Sequence, residues 1–329
     1  MPSTPAFYAM PIVFIYETLE GARNDTGFSA VGFIASVSSR IRSMHRYYYL
    51  VTNEHVVRDF EIVIIRINGV LGFKFLSIPK TKFQTDRKLD LAIVALPEDS
   101  ETSFLSISED ASITPEKINK LKIGYGTDVF MVSRIVRSGV NYLKRNLAVL
   151  RFGNIALPPA FEEPFYLVEM RSIAGHSGSP VLAYPTPFIF GTPRNKEEVF
   201  APILLGINRG HLEETTEIVR EQNGQLLKHP YFRSITNMAM SQVVPAWHIF
   251  EMLNGKKFKT QRQKADGKLV PAINMVEDER TRKFFDVPKG KKKAIGADAS
   301  VVVSDITPEE KELWKRLLQS ASDKSKPEP

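Results

Sequence analysis

The chain has no cysteine. That excludes disulfide bonds, thiolate metal sites and a cysteine nucleophile, and it suits a reducing compartment, so a cytoplasmic location is expected. Long apolar runs are missing too. The stretch from Ala6 to Tyr16 is too short to span a bilayer, and it has neither a basic segment before it nor a small-residue cleavage site after it. No membrane helix and no signal peptide are expected. The histidines at 45, 176, 211, 229 and 248 show no metal-ligand spacing and no matching carboxylates, so no metal and no cofactor are expected. Gly124-Tyr125-Gly126 lacks the further glycine and lysine of a phosphate loop.

What remains is an ordinary globular composition of 329 residues, 43% hydrophobic and 25% charged. The net charge of +7 is unevenly placed. Residues 256–329 hold 18 of the 44 Lys and Arg but only 12 of the 37 Asp and Glu. The body is near neutral and the tail is basic. Such a bias concerns partners and solubility rather than fold.

Residues 1–250 read as strands. Pro11 to Tyr16, Phe28 to Val37, Tyr47 to Thr52, Glu61 to Ile67, Gly72 to Ile78 and Leu91 to Leu96 are β-branched and aromatic runs divided by Asn, Asp, Gly and Pro. A second series contains Asp128 to Arg137, Leu147 to Arg151, Phe165 to Met170, Pro180 to Tyr184, Ile203 to Ile207 and Met238 to Val244. Short strands of even spacing predict barrels or sandwiches. The divisions expected are 1–115, 116–255 and a partly disordered extension, 256–329. Pro245 to Leu253 has helical spacing and would close the second unit. Thr307-Pro308-Glu309-Glu310 forms a capping box for a short helix over 307–319, whose stripe of Leu313, Trp314, Leu317 and Leu318 would dock on the body or bind a regulatory partner. The last seven residues are expected to be disordered. The basic clusters Lys256-Lys257-x-Lys259 and Lys291 to Lys293 have little aromatic interleaving, so nucleic acid is not expected as a partner.

The most specific stretch is Gly175-His176-Ser177-Gly178-Ser179-Pro180. Glycines two before and one after a serine present it on a tight turn and let backbone N–H groups converge. Upstream, His55 follows the apolar run ending at Thr52, and Asp90 precedes Leu91-Ala92-Ile93-Val94. A serine hydroxyl needs a base to become a nucleophile, and the base needs a carboxylate to fix its tautomer. His55 as base, Asp90 as orienter, Ser177 as nucleophile and the N–H groups of Gly175 and Ser177 as oxyanion hole make a complete set. Taken singly, each residue also suits a turn or a strand end. It is their order and joint occurrence that point to chemistry.

These segments resemble the trypsin/chymotrypsin-like serine peptidases. Val51-Thr52-Asn53-x-His55-Val56 and Asp90-Leu91-Ala92 are similar to the cysteine-free bacterial branch, including the HtrA type. Similarity continues at Leu121-x-x-Gly124 through Phe130, at Leu204 to Ile207 and at Val243 to Ala246, so that it covers about residues 10–253. The resemblance implies an all-β fold of two six-stranded antiparallel barrels with the triad between them, a peptide or protein substrate, and Asn208-Arg209-Gly210 as the edge that binds an extended peptide. It implies an inactive, partner-binding scaffold as the alternative. It places Arg171 and Ser172 at the first specificity pocket, where Arg171 would favour acidic side chains, unless it turns away to Glu169. A PDZ domain would not fit in the residues after 255. Two departures stand out. His176 replaces the acid or asparagine usual before the serine, so activation through a new N-terminus is not expected. Ser179 stands where glycine is commoner.

Overall fold

The computed structural model describes residues 12–41, 45–69, 72–97, 106–134, 146–159, 164–184, 188–189, 192–193, 202–222, 225–267 and 301–303. The capped segment expected over 307–319 and the cluster at Lys291 to Lys293 lie outside the described residues. The first half contains strands β1 (Ile12–Tyr16), β2 (Phe28–Ser38), β3 (Arg46–Thr52), β4 (Ile62–Gly69), β5 (Gly72–Pro79), β6 (Gln84–Asp86), β7 (Leu91–Ala95) and β8 (Ile107–Ser108). Helix α1 (Leu19–Asn24) joins β1 to β2, and the one-turn helix α2 (Glu54–Val57) follows β3. Helix α3 (Pro115–Leu121) leads to the second half. There Thr114 caps α3 by accepting from the Lys117 N–H at 3.2 Å.

The second half contains β9 (Asp128–Ser133), β10 (Val149–Leu157), β11 (Tyr166–Glu169), β12 (Pro180–Ala183), the pair β13 (Phe188–Ile189) and β14 (Thr192–Pro193), and the long hairpin β15 (Ile203–Gln222) with β16 (Gln225–Pro245). A short strand β17 (Val301–Val303) pairs with β5. The all-β class and the two-unit architecture are those the resemblance implies. Closure differs between the halves. The second is a closed six-stranded barrel in the order β10-β11-β16-β15-β12-β9. The first is an open nine-stranded sheet, with β17 and β6 at its edges.

Strand alternation decides which core each side chain enters. In β1, Val13 and Ile15 join the core inside the first half, with Ile34, Leu50 and Ile65. Ile12, Phe14 and Tyr16 turn the other way and meet Val132 of the second half. Phe33, Val51 and Ile93 likewise share one core with Met131, Val168 and Ile207. The halves therefore meet through continuous apolar packing, and the cleft above that packing is held by it.

A buried polar cluster also ties the halves. Arg66 is fully buried, and its guanidinium donates to Asp25 Oδ1 at 3.0 Å and to Asn146 Oδ1 at 2.9 Å. Arg134, just after β9, donates to both Asp25 oxygens at 2.9 and 3.2 Å and to the Tyr16 hydroxyl at 3.1 Å. One carboxylate thus serves two guanidinium groups, one from each half, which removes much of the cost of burying them.

Ala246–Asn254 forms helix α4, which buries Ala246, Ile249, Phe250 and Leu253 at helical spacing, as the sequence predicts. The chain does not leave the body there. Residues 256–267 continue as helix α5, in which Phe258, Arg262 and Asp266 fall on one buried face. Phe258 meets Tyr49 edge-on at 5.2 Å, Arg262 donates to the Tyr49 hydroxyl at 3.1 Å, and Asp266 accepts from Ser39 Oγ at 2.6 Å and Tyr47 OH at 2.7 Å. Two of those three residues are charged, so the apolar pattern alone does not reveal the face. Among the described residues, no helix is long and apolar enough to cross a membrane.

Candidate active site

His55 is the second residue of α2. Asn53, the residue before that turn, donates its side-chain amide to the Asp90 carbonyl at 3.0 Å, and the Glu54 N–H donates to the same oxygen at 3.2 Å. The His55 N–H donates to Asp90 Oδ1 at 2.9 Å. Asp90 itself has φ +55, a left-handed conformation that aspartate tolerates better than most residues. It ends the turn between β6 and β7, where Asp86 Oδ1 accepts from the Leu89 N–H at 2.9 Å. Two loops distant in sequence are therefore tied together by one backbone bond and two bonds between backbone and side chain.

His55 Nδ1 lies 2.7 Å from Asp90 Oδ2 and Nε2 lies 3.0 Å from Ser177 Oγ. The ionised carboxylate can only accept, so Nδ1 carries the proton and Nε2 is left to accept from the serine. The Asp90 side chain is 7% exposed and the His55 side chain 40%. The acid is sheltered and the imidazole faces the cleft.

Two overlapping turns hold Ser177. The His176 N–H donates to the Ile173 carbonyl at 3.0 Å with Gly175 at φ +90, and the Ser179 N–H donates to the His176 carbonyl at 3.2 Å with Gly178 at φ +81. Each is a type II pattern, with a glycine at the third position, where φ must be positive. The spacing of three between Gly175 and Gly178 is the repeat of these turns. Neither the Gly175 nor the Ser177 N–H is used by another group among the described residues. Gly178 has a second role. A Cβ there would stand 1.8 Å from the Val31 carbonyl oxygen and 2.6 Å from Thr52 Oγ1. That contact, with the Val31 N–H donating to the Ser177 carbonyl at 3.0 Å, seats the serine loop of the second half on β2 and β3 of the first.

His176 is fully buried. Its Nε2 donates to the Arg134 carbonyl at 3.0 Å, and its Nδ1 accepts from the Ile173 N–H at 3.4 Å. One neutral tautomer satisfies both bonds. Burial, reinforced by the charge of Arg151 and opposed by the Arg134 carbonyl, pushes the His176 pKa down to about 4. The ring thus pins the first turn from inside and links it to the strand end that carries Arg134.

The other expected site residues divide. Ser172 is buried, and its Oγ accepts from the Asn208 amide at 3.1 Å. Asn208 is buried beneath the serine loop: its N–H donates to the Ser179 carbonyl at 2.8 Å, its carbonyl accepts from the Gly178 N–H at 3.0 Å, and its amide also donates to the His176 carbonyl at 3.0 Å. Arg171 is exposed, forms no ion pair with Glu169, and does not line the pocket beside His55. Ser179 Oγ donates to Ser133 Oγ at 2.9 Å, which gives the departure at that position a buried partner. Arg209 reaches Asp90. Its Nε lies 3.6 Å from Asp90 Oδ2, its guanidinium lies over Phe165 at 4.8 Å, and its carbonyl lies 3.5 Å from Ser177 Oγ. The sequence reading misses Arg58 and Arg87, which also line the cleft. They stand three residues from His55 and Asp90 respectively, and that proximity is the only signal for them in the sequence. Among the described residues, no group of three His, Asp or Glu side chains could hold a metal.

No protein-family model and no curated protein sequence matches the chain. Among solved structures it is similar to the MamO protease domain from Magnetospirillum magneticum in its apo form, with a TM-score of 0.43, 15% identity, and coverage of 76% of this chain and 98% of that one. It is also similar to an atomic-resolution structure of HBP, with a TM-score of 0.45, 9% identity, and coverage of 77% and 93%. What the site can do follows from its own geometry.

Proposed function

We propose that the protein is a serine endopeptidase of trypsin-like type. The observation that carries this reading is the unbroken relay from Asp90 through His55 to Ser177, with contacts of 2.7 and 3.0 Å. Ser177 Oγ attacks the peptide carbonyl carbon while its proton passes to His55 Nε2. Asp90 holds the Nδ1 proton and offsets the charge that the ring acquires. The carbonyl oxygen becomes an oxyanion facing the N–H groups of Gly175 and Ser177. Collapse expels the amine, which takes the proton from His55, and leaves an acyl group on Ser177. Water, deprotonated by His55, releases the acid. The finer kinship with cysteine-free bacterial peptidases of the HtrA type rests on the residues around His55 and Asp90.

A non-catalytic scaffold that binds a peptide or protein is the second reading. It is favoured by Arg209, whose guanidinium draws on the carboxylate oxygen that orients His55. A fluorophosphonate probe separates the two. The peptidase is expected to label covalently, and the label to vanish in Ser177→Ala. Folded protein that stays unlabelled at pH 7–9 supports the scaffold instead.

A further inference from the structure

Beside His55 the cleft opens into a pocket of about 240 Å³, lined by His55, Arg58, Arg87, Asp90, Arg209 and Gln242 together with Gly210. Three guanidinium groups from three different segments converge on it, and the lining holds one carboxylate. Nothing in the proposed hydrolysis uses Arg58 or Arg87.

The arginines are held from behind and free in front. Glu54 is buried, and Arg58 binds it through Nε and Nη2, while Arg87 Nε lies 3.4 Å from Glu54 Oε1. The hydrogen bonds from Arg58 hold the Glu54 carboxyl below the usual range despite its burial, so it stays charged and keeps both guanidinium groups in place. Asp59 also acts on Arg58, but it is not part of the lining. Arg209 spends only its Nε on Asp90. The terminal nitrogens of Arg87 and Arg209 and one of Arg58 have no hydrogen-bond partner among the described residues, and the Arg209 guanidinium also lies over Phe165. Arg87 is 79% exposed and Arg58 46%. Planar forks with open N–H groups around a small cavity suit a carboxylate, which accepts two parallel bonds from each fork.

We propose that this pocket binds an acidic side chain of the peptide substrate, close to the residue whose carbonyl Ser177 attacks. The inference rests on the peptidase reading and gives that site a substrate class. It moves selection for acid away from Arg171, which the pocket does not include, to the arginines beside His55.

The test uses quenched peptides that carry Glu or Gln at each position in turn. At one position on the acyl side, the Glu peptide should show a kcat/KM roughly 10-fold or more above its Gln twin, the range expected for hydrogen bonds to a charged acceptor. The ratio should fall several-fold in Arg87→Gln, and Arg87→Glu should abolish it or turn it toward Lys. Equal rates for Glu and Gln at every position, in protein whose Ser177 accepts the fluorophosphonate, overturn the pocket and leave the peptidase standing. If Ser177 does not label, the peptidase reading falls, and fluorescence anisotropy with the same peptides decides the pocket. Tighter binding of Glu than Gln peptides, lost in Arg87→Glu, supports it; equal binding overturns it.

Discussion

Acid should destabilise this protein through His176. The ring is buried and neutral, with one nitrogen donating to the Arg134 carbonyl and the other accepting from Ile173. Protonation would put a charge in that site and turn the Nδ1 acceptor into a donor facing another donor. Its pKa is pushed down to about 4 in the folded protein, against an ordinary value of 6.5. The unfolded chain takes up the proton below pH 6.5, while the folded chain refuses it until about pH 4. Stability from this group is therefore complete above pH 6.5, is lost as the pH falls toward 4, and changes no further below that. At about 1.4 kcal/mol per pH unit, the full loss is about 3 kcal/mol, of which about 2 kcal/mol is gone by pH 5. Other carboxylates and histidines also titrate in this window, so the assay must be differential. Urea unfolding of the parent and of His176→Asn from pH 7.5 to 4.0 isolates the term, because the remaining groups are common to both. The parent's advantage should shrink by about 3 kcal/mol across the window. An advantage constant with pH, or one that grows in acid, would refute the buried neutral ring. The fluorophosphonate rate of His176→Asn, measured at pH 7.5 on folded protein, tells whether the turn that the ring pins is also the turn the chemistry needs.

Gly178→Ala should destabilise the protein by about 2–4 kcal/mol and prevent labelling of Ser177, because the added Cβ meets the Val31 carbonyl at 1.8 Å in a positive-φ conformation. Gly210→Ala is its control: the new Cβ meets nothing within 4 Å, and thermal melting should shift little. Asp25→Asn leaves the buried guanidinium of Arg66 and that of Arg134 without their shared carboxylate, and should cost about 3–5 kcal/mol in urea unfolding. A loss under 1 kcal/mol would mean that the cluster does not hold the halves together.

Much of the site is legible along the chain because its chemistry is local. A base after one strand, an acid before another, and a serine between two glycines three residues apart are all short-range patterns. The glycines mark two successive turns that need positive φ, so the presented serine follows from residue type and spacing. Strand alternation and the helical spacing of Ala246, Ile249, Phe250 and Leu253 are periodic signals of the same kind. Helix α5 is not legible in this way, because two of its three buried anchors are Arg262 and Asp266, and a charged side chain reads as surface until its partners Ser39, Tyr47 and Tyr49 are known. The arms of β15 and β16 beyond the barrel are missed because they are held by backbone pairing with each other, which carries no apolar period.

By itself, then, the sequence determined the strand-rich body, the neutral-bodied and basic-tailed charge pattern, and the identities and order of His55, Asp90 and Ser177. What surrounds them came from the packing of the two halves. It placed Gly178 against Val31, so that the second barrel delivers Ser177 within 3.0 Å of His55. It buried His176 as a neutral pin, left Arg171 at the surface and turned Arg58, Arg87 and Arg209 into one pocket. Residue type and short spacing set local turns and periods, whereas convergence of distant charges depends on how two halves pack, which no stretch of sequence contains.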